Sequence, residues 1–175
     1  MTRNKTPGIF SRIPRVAFFL VSGAVLVADQ STKIIALKRL APRGSISVVP
    51  GWFDLTFVMN QGALFGIGRN LREPLRTLAF TLLPVTAILY ILYFLWKTPA
   101  RDRLFLIGLS LILGGALGNL VDRLRVGYVV DFLDFYWRNH HWPAFNLADS
   151  SICIGVGLLG LDLFLKERRR DESPI

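Results

Sequence analysis

Hydrophobic residues fall into four long runs along this chain, and three of the runs carry polar residues at one end. A bilayer-spanning helix needs about 20 predominantly apolar residues. The last run, from Ile152 to Leu165, is too short by itself. To span, its helix has to begin near Ala144 and take in Asn146 and Asp149, which three-residue spacing would put on one helix face. The expected spans are residues 16–37, 75–96, 104–121 and 144–165. The first has a competing reading. Basic residues followed by the apolar stretch 16–28 resemble a cleavable signal peptide. The alternative is an uncleaved span running on through Asp29, Gln30 and Lys33. Pro84 falls inside the second span, where a neighbouring helix or side chain has to satisfy the backbone group it frees.

Between the first two spans the period changes. Ile46 and Val48 alternate with small polar residues, Pro50-Gly51 marks a turn, and residues 52–58 are aromatic and β-branched. This predicts a hairpin or short sheet at the membrane surface. Small residues around Asn60, Gly62 among them, would let the backbone approach another group closely. The third span is glycine-rich, and Gly114 with Gly118 has the spacing that admits a close helix neighbour. Residues 125–143 read as a loop of aromatic and polar residues. The pattern gives an all-α membrane protein: four transmembrane helices, with a small extracytoplasmic β-sheet over about residues 44–66. The whole chain, 1–175, reads as one integral membrane domain.

Four spans place both termini on one side. Lysine and arginine are denser in the termini and in the short loop after Trp96 than in the two longer connections, so the termini side is the cytoplasm. The polar residues then gather at one depth, on the far side. The first span exits with Asp29, Gln30 and Lys33, and the third exits with Asn119 and Arg123. The fourth enters with Asn146 and Asp149, and Asn60 and Asp131 lie in the connections there. Acids inside a span are costly and mark functional sites by default; scattered structural contacts between helices would have no reason to cluster in this way.

Composition supports this. The chain is 52% hydrophobic with a mean hydropathy of +0.44, too apolar for a soluble domain. Its net charge of +9 sits beside the spans and forms no basic patch with interleaved exposed aromatics, which argues against a nucleic-acid partner. The single cysteine, Cys153, lies inside the last span, where a buried packing role is expected.

Several chemistries fit poorly. The two histidines, His140 and His141, are adjacent, and no His-Glu-x-x-His helix exists to hold a metal. Ser150 and Ser151 adjoin Asp149 but have no histidine in a motif relation to them. Carboxylates remain. Two close carboxyls cannot both ionise easily, so one keeps a proton while the other acts as base. Such a pair can activate water against a peptide carbonyl and protonate the leaving amine. Asp131 and Asp149 flank the last connection; Asp134 and Asp122 are rivals for the first role. A proton- or ion-coupled small transporter is the alternative class, but it predicts broken spans related by a repeat, and neither is visible.

Five stretches carry a family resemblance: Asp29-Gln30-Ser31-Thr32-Lys33, Asn60-Gln61-Gly62-Ala63-Leu64-Phe65, the run from Gly114 to Arg123, Val129-Val130-Asp131-Phe132, and Phe145-Asn146-Leu147-Ala148-Asp149-Ser150. In this order and spacing they resemble the bacterial lipoprotein signal peptidases (signal peptidase II). The resemblance implies an aspartic endopeptidase of the inner membrane that cuts prolipoproteins just before the diacylglyceryl-modified cysteine. It implies Asp131 and Asp149 as the catalytic pair, in place of Asp134. Asn60, Gly62, Asn119, Arg123 and Asn146 would line the site, with Asp29 and Lys33 supporting it, which also makes the first span an uncleaved one. The β region would be a cradle that clamps the peptide. No metal or cofactor is implied. The expected partners are lipidated prolipoproteins and membrane lipids, and a monomer is expected.

Overall fold

The computed structural model describes residues 15–62, 72 and 75–172. Helix α1 spans Arg15–Arg39. Strands β1, Ser45–Val49, and β2, Phe53–Asn60, follow it. Helix α2 spans Leu75–Lys97 and α3 spans Arg103–Val126. Strands β3, Val129–Trp137, and β4, His140–His141, lead into α4, Leu147–Asp171. Four of these helices are long and apolar enough to cross a membrane. Leu20, Leu83, Tyr90 and Phe164 expose more than half of their surface on the outside of the bundle, as side chains facing lipid would.

The glycines of α3 place it at the centre. Gly114 and Gly118 both face α1: a Cβ added at Gly114 would lie 2.7 Å from the Ser22 carbonyl, and one at Gly118 would run into the Asp29 carboxylate. Gly108 and Gly115 face α4 instead, against the backbone oxygens of Gly155 and Ala148. Two faces of small residues therefore let two helices approach the same helix closely. Between them Leu106, Leu109 and Leu113 pack with Phe18, Ile88 and Leu95. The Ser22 hydroxyl donates to the Ser110 carbonyl at 2.9 Å and ties α1 to α3.

The sheet is larger than the alternation around residue 46 predicted. Its order is β1-β2-β3-β4, with each neighbouring pair antiparallel. The segment expected to be a loop after Arg125 supplies a nine-residue strand. That strand is β-branched and aromatic apart from Leu133 and two aspartates, and its first four residues are buried, so burial on both faces conceals the period of two that marks a half-exposed strand. Helix α3 stops at Gly127 in the left-handed conformation, a common helix ending, and β3 starts two residues later. Val130 and Phe132 pack beneath the sheet against Ala36 and Leu40 at the end of α1. Residues 63–66 of the expected β region lie outside the described residues.

The fourth helix also begins differently. It starts at Leu147, and Asn146 is its N-cap in extended conformation. The preceding Phe145 pairs with Leu133 of β3. The three-residue spacing of Asn146 and Asp149 is therefore not a shared helix face. It is a capping box, in which each side chain accepts from the other's backbone N–H, a pairing that satisfies two otherwise unpaired helix donors.

Candidate active site

At the end of the bundle where α1 and α3 finish and α4 starts, the sheet and helices enclose a cavity of about 960 Å³ lined by Asp131 and Asp149. Asp131 comes from β3 and is 1% exposed. Asp149 comes from the first turn of α4. Three asparagine side chains from three elements hold the two acids. Asn60 Nδ2, at the end of β2, donates to Asp131 Oδ2 at 2.9 Å. Asn146 Nδ2 donates to Asp131 Oδ1 at 2.7 Å. Asn119 Nδ2, on α3, donates to Asp149 Oδ1 at 2.8 Å, and the Asn146 backbone N–H donates to Asp149 Oδ2 at 3.2 Å. Asn146 thus touches both acids.

Burial pushes the Asp131 carboxyl up to about 7; the hydrogen bond from Asn60 pulls it down and the nearby charge of Asp149 pushes it up again. Taking a carboxylate out of water disfavours its charged form. Asp131 therefore keeps its proton to a much higher pH than an ordinary carboxyl does.

Arg123 lies one turn after Asn119 on α3. Its guanidinium donates to the Gly62 carbonyl at 3.2 Å and sits 5.9 Å from the Phe80 ring centre. The Gly62 N–H in turn donates to Asn60 Oδ1 at 3.0 Å. Arg123 thereby links α3 to the loop behind Asn60.

Behind the asparagines lies a buried ionic group. The Lys33 ammonium contacts Asp29 Oδ2 at 2.9 Å, Asp122 Oδ2 at 2.9 Å and Asn119 Oδ1 at 2.8 Å. Asp29 Oδ1 accepts from the Ala148 N–H at 2.9 Å, and Asp122 Oδ2 accepts from the Val130 N–H at 3.1 Å. The two carboxylates thus pin the residues next to Asp149 and Asp131. Gln30 completes the group, donating to the Gly118 carbonyl at 3.1 Å and to Asp122 Oδ1 at 2.9 Å. Every site residue expected from the sequence falls in this connected assembly.

The rivals for the Asp131 role have other partners. Asp122 is engaged by Lys33, Gln30 and the β3 backbone. Asp134 reaches the rim of the cavity, with both oxygens within 3.1 Å of His141 Nδ1. Gln30 belongs to the polar cluster expected at the end of the first span but has no expected site role; its bonds to α3 give it one. Cys153 is a correction. It is exposed and lines the cavity, because it lies one turn after Asp149 on the same side of α4.

A family described as signal peptidase (SPase) II matches residues 21–165. The lipoprotein signal peptidase of Geobacter metallireducens is 47% identical over 158 residues, 89% of this chain and 95% of that protein. That of Syntrophus aciditrophicus is 41% identical over 157 residues, 90% of this chain and 98% of its own. A solved bacterial membrane enzyme, determined in meso at 2.3 Å, superimposes with a TM-score of 0.75 at 30% identity, covering 91% of this chain and 94% of that one.

Proposed function

The chain belongs to the signal peptidase II family, a family of membrane peptidases, and from that premise we propose that Asp131 and Asp149 are its catalytic dyad. The observation that carries this is the convergence of the Asn60, Asn119 and Asn146 amides on these two acids in one cavity. The substrates are prolipoproteins, cut before a diacylglyceryl-modified cysteine. Residues 1–175 act as one integral membrane protease domain, and one copy supplies every residue the reaction uses.

The chemistry follows from two acids sharing one proton. The ionised carboxylate takes a proton from water, the resulting hydroxide adds to the scissile carbonyl, and the protonated acid gives its proton to the carbonyl oxygen. When the tetrahedral intermediate collapses, the acid that took the water proton passes it to the leaving amine, and the hydroxyl proton returns to its partner. The dyad ends as it began. The amides hold both acids in place through these transfers, so little reorganisation accompanies them. Arg123, donating to the loop carbonyl of Gly62, keeps the wall beside Asn60 in register for the peptide.

The dyad lies where α4 begins, at the rim of the hydrophobic bundle. A lipidated substrate arrives sideways through the bilayer, and its modified cysteine sits at that depth. Exposed Trp52, Trp137 and Trp142 lie on the sheet side of the bundle, as aromatic residues do at a membrane interface. The basic end of α4, Arg168 to Arg170, lies at the other end. This supports cytoplasmic termini and an extracytoplasmic site in a bacterial inner membrane.

The test is cleavage of a lipidated precursor by the reconstituted protein. Asp131→Asn and Asp149→Asn should each lower kcat by a factor of about 10³ or more, the scale seen when one member of a catalytic unit is removed. Full activity in either variant would refute the dyad.

A further inference from the structure

An amide side chain has a donor end and an acceptor end, and each asparagine at the dyad serves it only with the donor end inward. Asn60 is oriented by backbone, since its Oδ1 accepts from the Gly62 N–H at 3.0 Å. Asn146 is too, because its Oδ1 accepts from the Asp149 N–H at 3.0 Å. Asn119 is oriented by a side chain from another helix. Its Oδ1 accepts from Lys33 Nζ at 2.8 Å, across 86 positions of sequence. An ammonium can only donate, so the oxygen end of Asn119 has to face Lys33 and the nitrogen end has to face Asp149.

Asn146 Nδ2 also approaches Asn119 Oδ1, at 3.2 Å. That nitrogen faces two further acceptors, Asp131 Oδ1 at 2.7 Å and the Val130 carbonyl at 3.3 Å. An amide nitrogen has two protons to share among them, and the shortest bond goes to Asp131. Lys33 is the closer and the charged donor to Asn119 Oδ1, and so the stronger influence on which way Asn119 points.

We propose that Lys33 is a positioning residue of the hydrolysis: from α1 it sets which end of Asn119 meets Asp149, and so fixes the rotation of the Asp149 carboxyl group without touching water or substrate. This rests on the dyad reading above. Asp149 is then held from two sides, through Oδ1 by Asn119 and through Oδ2 by the Asn146 backbone, and the remaining lone pairs are free for water. With Lys33 removed, Asn119 Oδ1 keeps only the longer bond from Asn146 Nδ2, at 3.2 Å, and the amide is held less firmly against Asp149; a turned amide would set its carbonyl against a carboxylate, acceptor against acceptor. Asp29 and Asp122 keep the ammonium in place, so the ionic group is an orienting device as well as a staple between α1 and α3.

The experiment measures kcat, KM and melting temperature on the full chain with a lipidated precursor. Asn119→Asp keeps the side-chain size and gives Lys33 a stronger partner, but it presents oxygen to Asp149. Its kcat should fall by a factor of about 10², the cost of a small misplacement at a reacting group, with KM within about threefold and no loss of melting temperature. A purely structural role for Lys33 and Asn119 would leave kcat intact in so well folded a variant. Lys33→Met combined with Asp122→Asn removes one charge of each sign and, compared with Asp122→Asn alone, should show the same fall in kcat. Unchanged kcat in either comparison overturns the proposal; if the double variant does not fold, Asn119→Asp decides. Asp131→Asn and Asp149→Asn run in the same assay separate the two claims. Activity in those variants overturns the dyad itself, whereas their inactivity beside an active Asn119→Asp overturns only the role of Lys33.

Discussion

Two ionic groups in this protein are built from the same local pattern, an aspartate followed four residues later by a lysine, with a second aspartate from another part of the chain. In one, Asp29 and Lys33 on α1 meet Asp122 on α3. In the other, Asp162 and Lys166 on α4 meet Asp102 ahead of α3. Their settings differ. The Lys33 side chain is 3% exposed, and it spends a third bond on Asn119, which leads to Asp149. The Lys166 side chain is 47% exposed, rests near the Phe105 ring and leads to no site. An i, i+4 pair is thus a local event, worth little in itself; burial and the third bond turn one of the two into part of a mechanism.

The comparison can be broken from either side. The largest effect is at the dyad itself, where the asparagine variants described above should lose about three orders of magnitude in kcat. Next comes Lys33→Met. It leaves Asp29 and Asp122 buried without their cation, and breaking a buried pair by removing one partner costs about 3–5 kcal/mol. Thermal unfolding in detergent should show a large drop in melting temperature, and a drop no greater than that of Lys166→Met would erase the distinction between the two groups.

A smaller effect separates the acids by pH. Asp131 keeps its proton up to about pH 7. Below that Asp131 carries the proton that the carbonyl oxygen receives; above it that proton is lost. The rate should therefore fall about tenfold for each pH unit above 7, as the loss of one essential proton requires. Asn60→Ala removes a hydrogen bond that pulls Asp131 down, so the falling limb should move to higher pH. A pH–rate profile of kcat/KM that stays flat from 6 to 9 would contradict the assignment. The smallest effect on activity is expected at the other group: Lys166→Met removes a half-exposed cation that has no contact with the dyad, and should leave precursor cleavage within about twofold.

Much of this was legible before any fold. The length of the apolar runs located the four helices to within a few residues at most ends, because spanning a bilayer is a constraint that a linear count can apply. The glycine spacing of α3 announced close neighbours, although not that Gly114 and Gly118 face α1 while Gly115 faces α4. The strand after Gly127 was missed because a strand buried on both faces has no alternation to read. The beginning of α4 was misplaced because Asn146 is a cap, and a cap is defined by backbone direction, which follows here from the pairing of Phe145 with Leu133.

The residue string by itself determined which groups are available and at what depth: four apolar segments, and acids, amides and a lysine collected at one end of them. That much follows from hydrophobic length and from the cost of unpaired charge in lipid. Tertiary structure decided what each polar group does. Asp122 became a partner of Lys33, Asp134 a partner of His141, and Asn119 a bridge between Lys33 and Asp149. Those outcomes depend on contacts between segments far apart in the chain, where donor meets acceptor only once the helices and the sheet have packed.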